Sequence, residues 1–260
     1  MATQNTSPGL RTRRTQQAKL FLLVLPFLIL LALFTYVPLF GWSYAFVKYV
    51  PGKSVFESTW MGLEYFKLIG TMYGENFLIV LRNTFALSGL NILSTVFPVL
   101  VAILITLLRS KRYSKACQTI ISIPYFISWV LVYSFAYALF NTNNGFLNQL
   151  LIRLGVMDRP INFLADPSHT WLKMCAWNVW KTLGWSSIMY LAAIAGIDQT
   201  LYEAAKIDGA GRFQIMWHIT VPGILETYFV LLLLSIANFI SNGMEQYFVF
   251  QNAMNRNKIE

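Results

Sequence analysis

Apolar residues fall along this chain in long runs, not in the alternating or three-and-four spacings of half-buried elements. A helix needs about 20 mostly apolar residues to cross a hydrocarbon core about 30 Å thick. The first such run is 20–41, with Thr35 its only hydroxyl before the interfacial Tyr36 and Trp42. The second, 83–108, contains Pro98, which membrane helices tolerate, often with a kink. The third is 117–140 with Pro124 near its start, and the fourth, 171–194, carries Trp171, Trp177, Trp180 and Trp185. The fifth is 223–247. The pattern predicts an all-α membrane helix bundle with five spans.

Charge then orients the spans. Arg11, Arg13, Arg14 and Lys19 precede the first run with no acid among them, and Arg109, Lys111, Arg112 and Lys115 follow the second, again with none. Lys48, Lys53 and Lys67 are balanced by Glu57, Glu64 and Glu75, and Arg153 and Arg159 by Asp158 and Asp166. Basic loops stay on the cytoplasmic side. The N-terminus and the 197–222 segment are therefore expected inside, with a basic tail over 1–19 and one membrane domain over 20–260. A cleaved leader would have an apolar stretch of only about 7–15 residues before a small-residue cleavage site. This first run is longer and ends in Tyr36, Val37, Pro38 and Trp42, so it reads as a retained helix.

Composition sharpens the class. The 260 residues are 56% hydrophobic and only 12% charged, about half the charged fraction of ordinary soluble domains. A disordered or nucleic-acid-binding basic chain would be rich in charge and poor in Leu, Ile and Phe. The net +9 is instead a topology signal, because eight of those charges lie in the two acid-free stretches. Two cysteines exclude a disulfide scaffold, and Cys117 and Cys175 read as small core residues. His169 and His218 are too isolated to read as metal ligands.

The 197–222 segment is more than a short connection. Thr200 with Glu203 three residues later reads as a capping box opening a helix through Ala204, Ala205 and Lys206. Gly209 and Gly211 permit a bend. A second helical piece would place Phe213, Met216 and Trp217 on one face, ahead of Pro222. Between the third and fourth runs, 145–155 has apolar residues at helical spacing bounded by glycines, a short helix outside the bilayer.

Polar residues inside the runs are the candidate pathway. Asn178, Lys181, Trp185 and Tyr190 lie on the fourth run, and Asn238, Asn242 and Glu245 on the fifth, largely at three-and-four spacing. Amides, hydroxyls and aromatic faces suit a sugar, whose rings are apolar on their faces and rich in hydroxyls at their rims. The same residues serve equally to join neighbouring helices. Lys181 either reaches the outer headgroups or sits in a cavity, pairing with an acid or an anionic sugar.

Glu203, Ala204, Ala205, then Gly209, Ile219, Val221 and Pro222 resemble the EAA loop of binding-protein-dependent ABC importer permeases, with valine at 221 where the family has leucine. Asp208, Gly209 and Ala210 resemble its carbohydrate branch. Tyr36, Val37, Pro38 and Trp42, with the ending from Gly243 to Met254, resemble its oligosaccharide and polysaccharide permeases. The resemblance implies a type I importer transmembrane domain in a bacterial plasma (inner) membrane. It also implies that Glu203, Ala204, Ala205, Asp208 and Gly209 couple it to an ATPase. The implied partners are a second, similar permease, two ATPase subunits and an extracellular or periplasmic solute-binding protein. No Gly-x-x-x-x-Gly-Lys phosphate loop occurs in this sequence. The chain itself is thus expected to bind no cofactor and catalyse no reaction, ATP and Mg being held by the partner ATPase. Such permeases commonly have a further C-terminal span, so a sixth helix is expected beyond residue 260. The alternatives are an ABC permease for a non-sugar solute or a secondary carrier, though no pseudo-symmetric halves are evident.

Overall fold

The structure is a computed structural model that describes residues 10–241, 243–252 and 255, with side chains from residue 16. The described residues are helical, apart from turns and one isolated bridge between Val47 and Trp60. Two compact units divide at Gly74.

In the first unit, α1 (Leu10–Leu31) runs on through a π turn, Ala32–Tyr36, and a 3-10 stretch, Val37–Phe46. Residues Gln16–Phe46 are long and apolar enough to cross a bilayer. Apolar side chains such as Leu20, Phe27, Phe34 and Phe40 are exposed all round it, as suits a helix whose solvent is lipid. The Val37 amide donates to the Ala32 carbonyl, five residues back. That wide turn falls directly before Pro38, whose ring would crowd the preceding turn of a regular helix. The unit closes with Phe46 stacked on Trp60 at 5.8 Å and a short helix, α2 (Glu64–Thr71).

The second unit is a bundle around one long helix. Its first arm is α3 (Gly74–Leu93) followed by α4 (Val96–Thr106), together a second apolar stretch of spanning length. The helix begins nine residues ahead of the run at 83, because Phe77, Leu78, Ile79, Val80 and Leu81 extend the apolar stretch on the other side of Arg82. Ser94 and Thr95 break it, their hydroxyls donating to the carbonyls of Asn91 and Ile92 at 2.7 Å. Pro98 falls in the first turn of α4, where its missing N–H costs no internal bond.

The run 117–140 is not one straight helix. α5 (Lys111–Ser122) passes into a 3-10 turn, Ile123–Phe126, and then turns by 103° into α6 (Trp129–Phe140). Pro124 opens that turn, and Ser128 caps α6 by accepting from the Leu131 amide. α7 (Phe146–Arg153) is a short helix packed on α6. The buried Asn148 amide holds it in place by donating to the carbonyls of Phe140, Asn141 and Ile161.

α8 (Thr170–Ala195) has 26 residues, about 39 Å at 1.5 Å per residue, and packs against α4, α5 and α11. Among the described residues three stretches are long and apolar enough to cross a bilayer, Gln16–Phe46, Gly74–Thr106 and Arg212–Ala237, with the bent α5–α6 pair a fourth. With its tryptophans, lysines and hydroxyls, α8 is not one of them, against the five spans expected from sequence. The glycine at 184 lets α5 approach closely: a Cβ there would lie 2.5 Å from the Ser122 nitrogen and nearer still to the Ile121 carbonyl.

α9 (Gln199–Ile207) and α10 (Arg212–Ile215) follow, and α10 does not stand apart from the membrane helix after it. A π turn, Met216–Thr220, carries it directly into α11 (Val221–Ala237), making one continuous span of 26 residues, Arg212–Ala237. The Val221 amide donates to the Met216 carbonyl, again five residues back and again just before a proline, Pro222. The run 223–247 then breaks at Asn238, and α12 (Met244–Phe250) starts after Gly243. Ser88 of α3 donates to the Phe239 carbonyl at 2.5 Å, holding the break against the bundle.

Candidate functional site

Three helix breaks meet in the second unit: Ser94 and Thr95 between α3 and α4, the bend ahead of Trp129, and the stretch after Asn238. Around them lies a cavity of about 550 Å³. Broken backbone at membrane depth is stable only where protein buries it or water reaches it, so a cavity at this point has a physical cause. Asn178, Thr182, Trp185, Ser186 and Tyr190 line it from α8, and Ser88 and Asn91 from α3. Ser235, Asn238, Gln246 and Tyr247 complete the wall from α11 and α12. No charged residue is among the described residues that line it.

Hydrogen bonds preset much of this wall. Asn178 donates to the Asn91 side-chain oxygen at 3.2 Å, and Gln246 to the Met174 carbonyl at 2.7 Å. Trp185 lies flat against Tyr125 of the bend, ring centroids 4.6 Å apart.

Of the pathway residues expected from sequence, Asn178, Trp185, Tyr190 and Asn238 are brought together at this cavity. Glu245 is exposed on α12, since the next residues, Gln246 and Tyr247, turn toward the cavity. Asn242 lies outside the described residues. Lys181 leaves the face it shares in sequence with Asn178 and Trp185. Its Nζ donates to the carbonyls of Pro124, Tyr125 and Ile127 at 3.3, 2.7 and 2.6 Å. It also lies 5.6 Å over the Tyr125 ring and 5.4 Å over the Trp129 ring. An ammonium has three donors, and three carbonyls of the bend take them. Asn91, Thr182 and Gln246 join the site without having stood out in the sequence. Their one signal is a polar group inside an apolar run, which helix-joining residues share.

The 196–222 segment holds its own geometry. Asp198, not Thr200, caps α9, its carboxylate accepting from the Thr200 amide at 2.9 Å. Aspartate ranks above threonine as a helix N-cap, and the backbone hydrogen bond from Thr200 holds the Asp198 carboxyl below its usual range. Gly209 has φ +75°. The Gly209 amide donates to Lys206 and the Ala210 amide to Ala205, at 3.1 and 2.9 Å, the paired bonds of a glycine-terminated helix. Glu203, freed from any capping role, is exposed and makes no side-chain hydrogen bond or ion pair among the described residues. Leu201, Ile207, Phe213 and Trp217 of the same segment also present apolar surface, from 51% to 86% exposed.

A family model for the inner membrane component of binding-protein-dependent transport systems matches residues 94–257. The chain belongs to that family. This permease is 40% identical to the polygalacturonan/rhamnogalacturonan transport system permease of Bacillus subtilis, over 94% of its own length and 75% of the relative's. It is 38% identical to protein LplB of the same organism, over 91% and 74%. Among solved structures, a bacterial ABC transporter that imports the acidic polysaccharide alginate has a chain that superposes with TM-score 0.84. That match is at 31% identity over 96% of the permease and 83% of that chain. A bacterial alginate ABC transporter in complex with an alginate pentasaccharide-bound periplasmic protein matches at 32% identity, also with TM-score 0.84. The permease is thus a membrane component of a transport system.

Proposed function

We propose that this permease forms half of the translocation path of an ATP-driven importer of oligosaccharides or polysaccharides. The cavity among the three helix breaks carries the reading. Amides and hydroxyls there exchange hydrogen bonds with a solute's hydroxyls, and Trp129, Trp185 and Tyr247 offer faces for its rings. Relatives named for polygalacturonan, rhamnogalacturonan and alginate support the solute class.

In this reading a second permease supplies the other half of the path, two ATPase subunits bind ATP and Mg, and a solute-binding protein delivers the sugar from outside a bacterial inner membrane. The N-terminus and the 197–222 segment face the cytoplasm. The α9 end, with Glu203, Ala204, Ala205, Asp208 and Gly209, docks on the ATPase. The unpartnered carboxylate and the exposed apolar residues of the same segment support that role. Closure of the ATPase pair moves α9, and α10 transmits the motion directly because it is continuous with α11. The solute passes through chemically unchanged.

Uptake of labelled oligogalacturonide into vesicles, with the solute-binding protein added and the ATPase carrying a dead Walker site, tests the whole reading. Uptake is expected to vanish, and uptake that persists overturns it. Glu203→Lys tests the docking alone: the ATPase is expected to dissociate from the purified complex, and intact assembly removes the assigned role.

A further inference from the structure

A second cavity, of about 440 Å³, lies at the other end of the second unit, where α4 and α8 end and the 196–222 segment folds beneath them. Three cations line it: Arg109 after α4, Lys206 on α9 and Arg212 at the start of α10. No acid is among its described lining residues, although Asp198, Glu203 and Asp208 stand in the same segment. None of the three cations makes a side-chain hydrogen bond or ion pair among the described residues. Like charges gathered around one hollow repel each other unless an anion joins them.

The rest of the wall says which anion. Thr106, Gln199, Tyr202 and Thr220 bring uncharged donors, with the Tyr202 and Thr220 hydroxyls 3.2 Å apart. Ile103, Leu107, Leu191, Ile194 and Met216 make the remainder apolar. Arginine forks and a lysine ammonium suit phosphate oxygens, which accept from several donors at once. A free phosphate would leave the apolar wall against water. A phosphodiester headgroup with acyl chains running up between the helix ends covers both parts.

We infer that this cavity is a phosphate-binding site, filled by the headgroup of an anionic phospholipid that bridges the end of α4 to α9 and α10. Basic hollows between membrane helices at the headgroup level bind such lipids, and each cation near the surface contributes about a five-fold gain in affinity. The site is independent of the solute the permease carries. It gives the bilayer composition a direct hold on the segment assigned above to ATPase docking.

The test uses the purified transporter in nanodiscs of phosphatidylcholine with rising fractions of phosphatidylglycerol, lipid retained by the complex being counted by native mass spectrometry. Wild type is expected to hold phosphatidylglycerol saturably. Arg109→Gln, outside the docking segment, is expected to raise the half-saturating fraction about five-fold, and Arg109→Lys to restore most of it. The triple change Arg109→Gln, Lys206→Gln, Arg212→Gln should weaken retention on the order of 100-fold. The subunit stoichiometry read in the same spectra reports whether each variant assembles. Lys111→Gln and Arg112→Gln, basic neighbours that do not line the cavity, are expected to leave retention unchanged. Equal retention by wild type and Arg109→Gln overturns the site. Equal loss in the neighbour variants also overturns it, because general surface charge would then explain binding. A phosphate adduct in pure phosphatidylcholine discs, displaced by no phosphatidylglycerol, overturns the lipid assignment.

Discussion

Trp185 of α8 stacks on Tyr125 of the bend with ring planes 5° apart, and Phe126 meets the same indole edge-on at 5.9 Å. Trp185 also lines the large cavity, so one residue joins the shape of the bend to the wall of the proposed path. Stacked aromatic pairs contribute about 0.5–1.5 kcal/mol beyond the area they bury. Trp185→Ala should therefore lower sugar uptake about two- to ten-fold while the transporter still assembles, and Trp185→Phe should retain most of both. Uptake per assembled complex, measured in vesicles, checks this. Wild-type uptake by the alanine variant would remove Trp185 from the path.

Lys181 holds the same bend from beneath, through three backbone carbonyls. Lys181→Met keeps the bulk of the stem and removes every donor. Carbonyls left unpaired cost about 1–3 kcal/mol each where water cannot replace the bond. The expected outcome is a thermal unfolding midpoint several degrees lower, with a reduced yield of complex. Unchanged unfolding would show that water takes over the three acceptors.

At Gly184, α8 comes close to the backbone of α5. Alanine there meets the Ile121 carbonyl and the Ser122 nitrogen, which are backbone and cannot swing aside. Gly184→Ala should push the helices apart and loosen the bend that follows α5, with loss of assembled transporter. Gly223→Ala is the comparison, because its added methyl meets only the flexible Ile197 side chain and assembly should survive. Quantitative membrane yield of the two variants decides the point.

Ahead of α8, Asp166 accepts from the Ser168 hydroxyl and, at 3.0 Å, from the Ser168 amide, and it pairs with Lys173 at 3.3 Å. These contacts, the Ser168 hydroxyl first, lower its carboxyl to about 2. A lowered folded-state value means that the carboxylate stabilises the fold above its unfolded value near 4, and that the contribution disappears as pH falls toward 2. Asp166→Asn should thus lower the unfolding midpoint at pH 6, and the gap to wild type should close between pH 4 and pH 2. A gap constant across that range would show that the charge has no part in it.

Much of the protein was legible in one dimension. Apolar runs of spanning length announced an all-α membrane protein, since lipid tolerates little else, and Glu203, Ala204, Ala205 and Gly209 at their spacing announced the family. Asn178, Trp185, Tyr190 and Asn238 stood out because polar and aromatic groups are costly in lipid unless they meet a partner or a cavity. Hydropathy, however, adds up residues without regard to the path of the backbone. It therefore reads 117–140 and 223–247 as unbroken runs, although the chain turns within both. The bend depends on Lys181 reaching carbonyls some 55 positions earlier in sequence and on Gly184 admitting α5. The cap on α9 went to Asp198 because its carboxylate, one residue ahead of the helix, reaches the Thr200 amide. Which polar residues face one cavity, and that Lys181 faces away from it, were decided by helix packing, because only the folded bundle fixes which donors find backbone and which find open space.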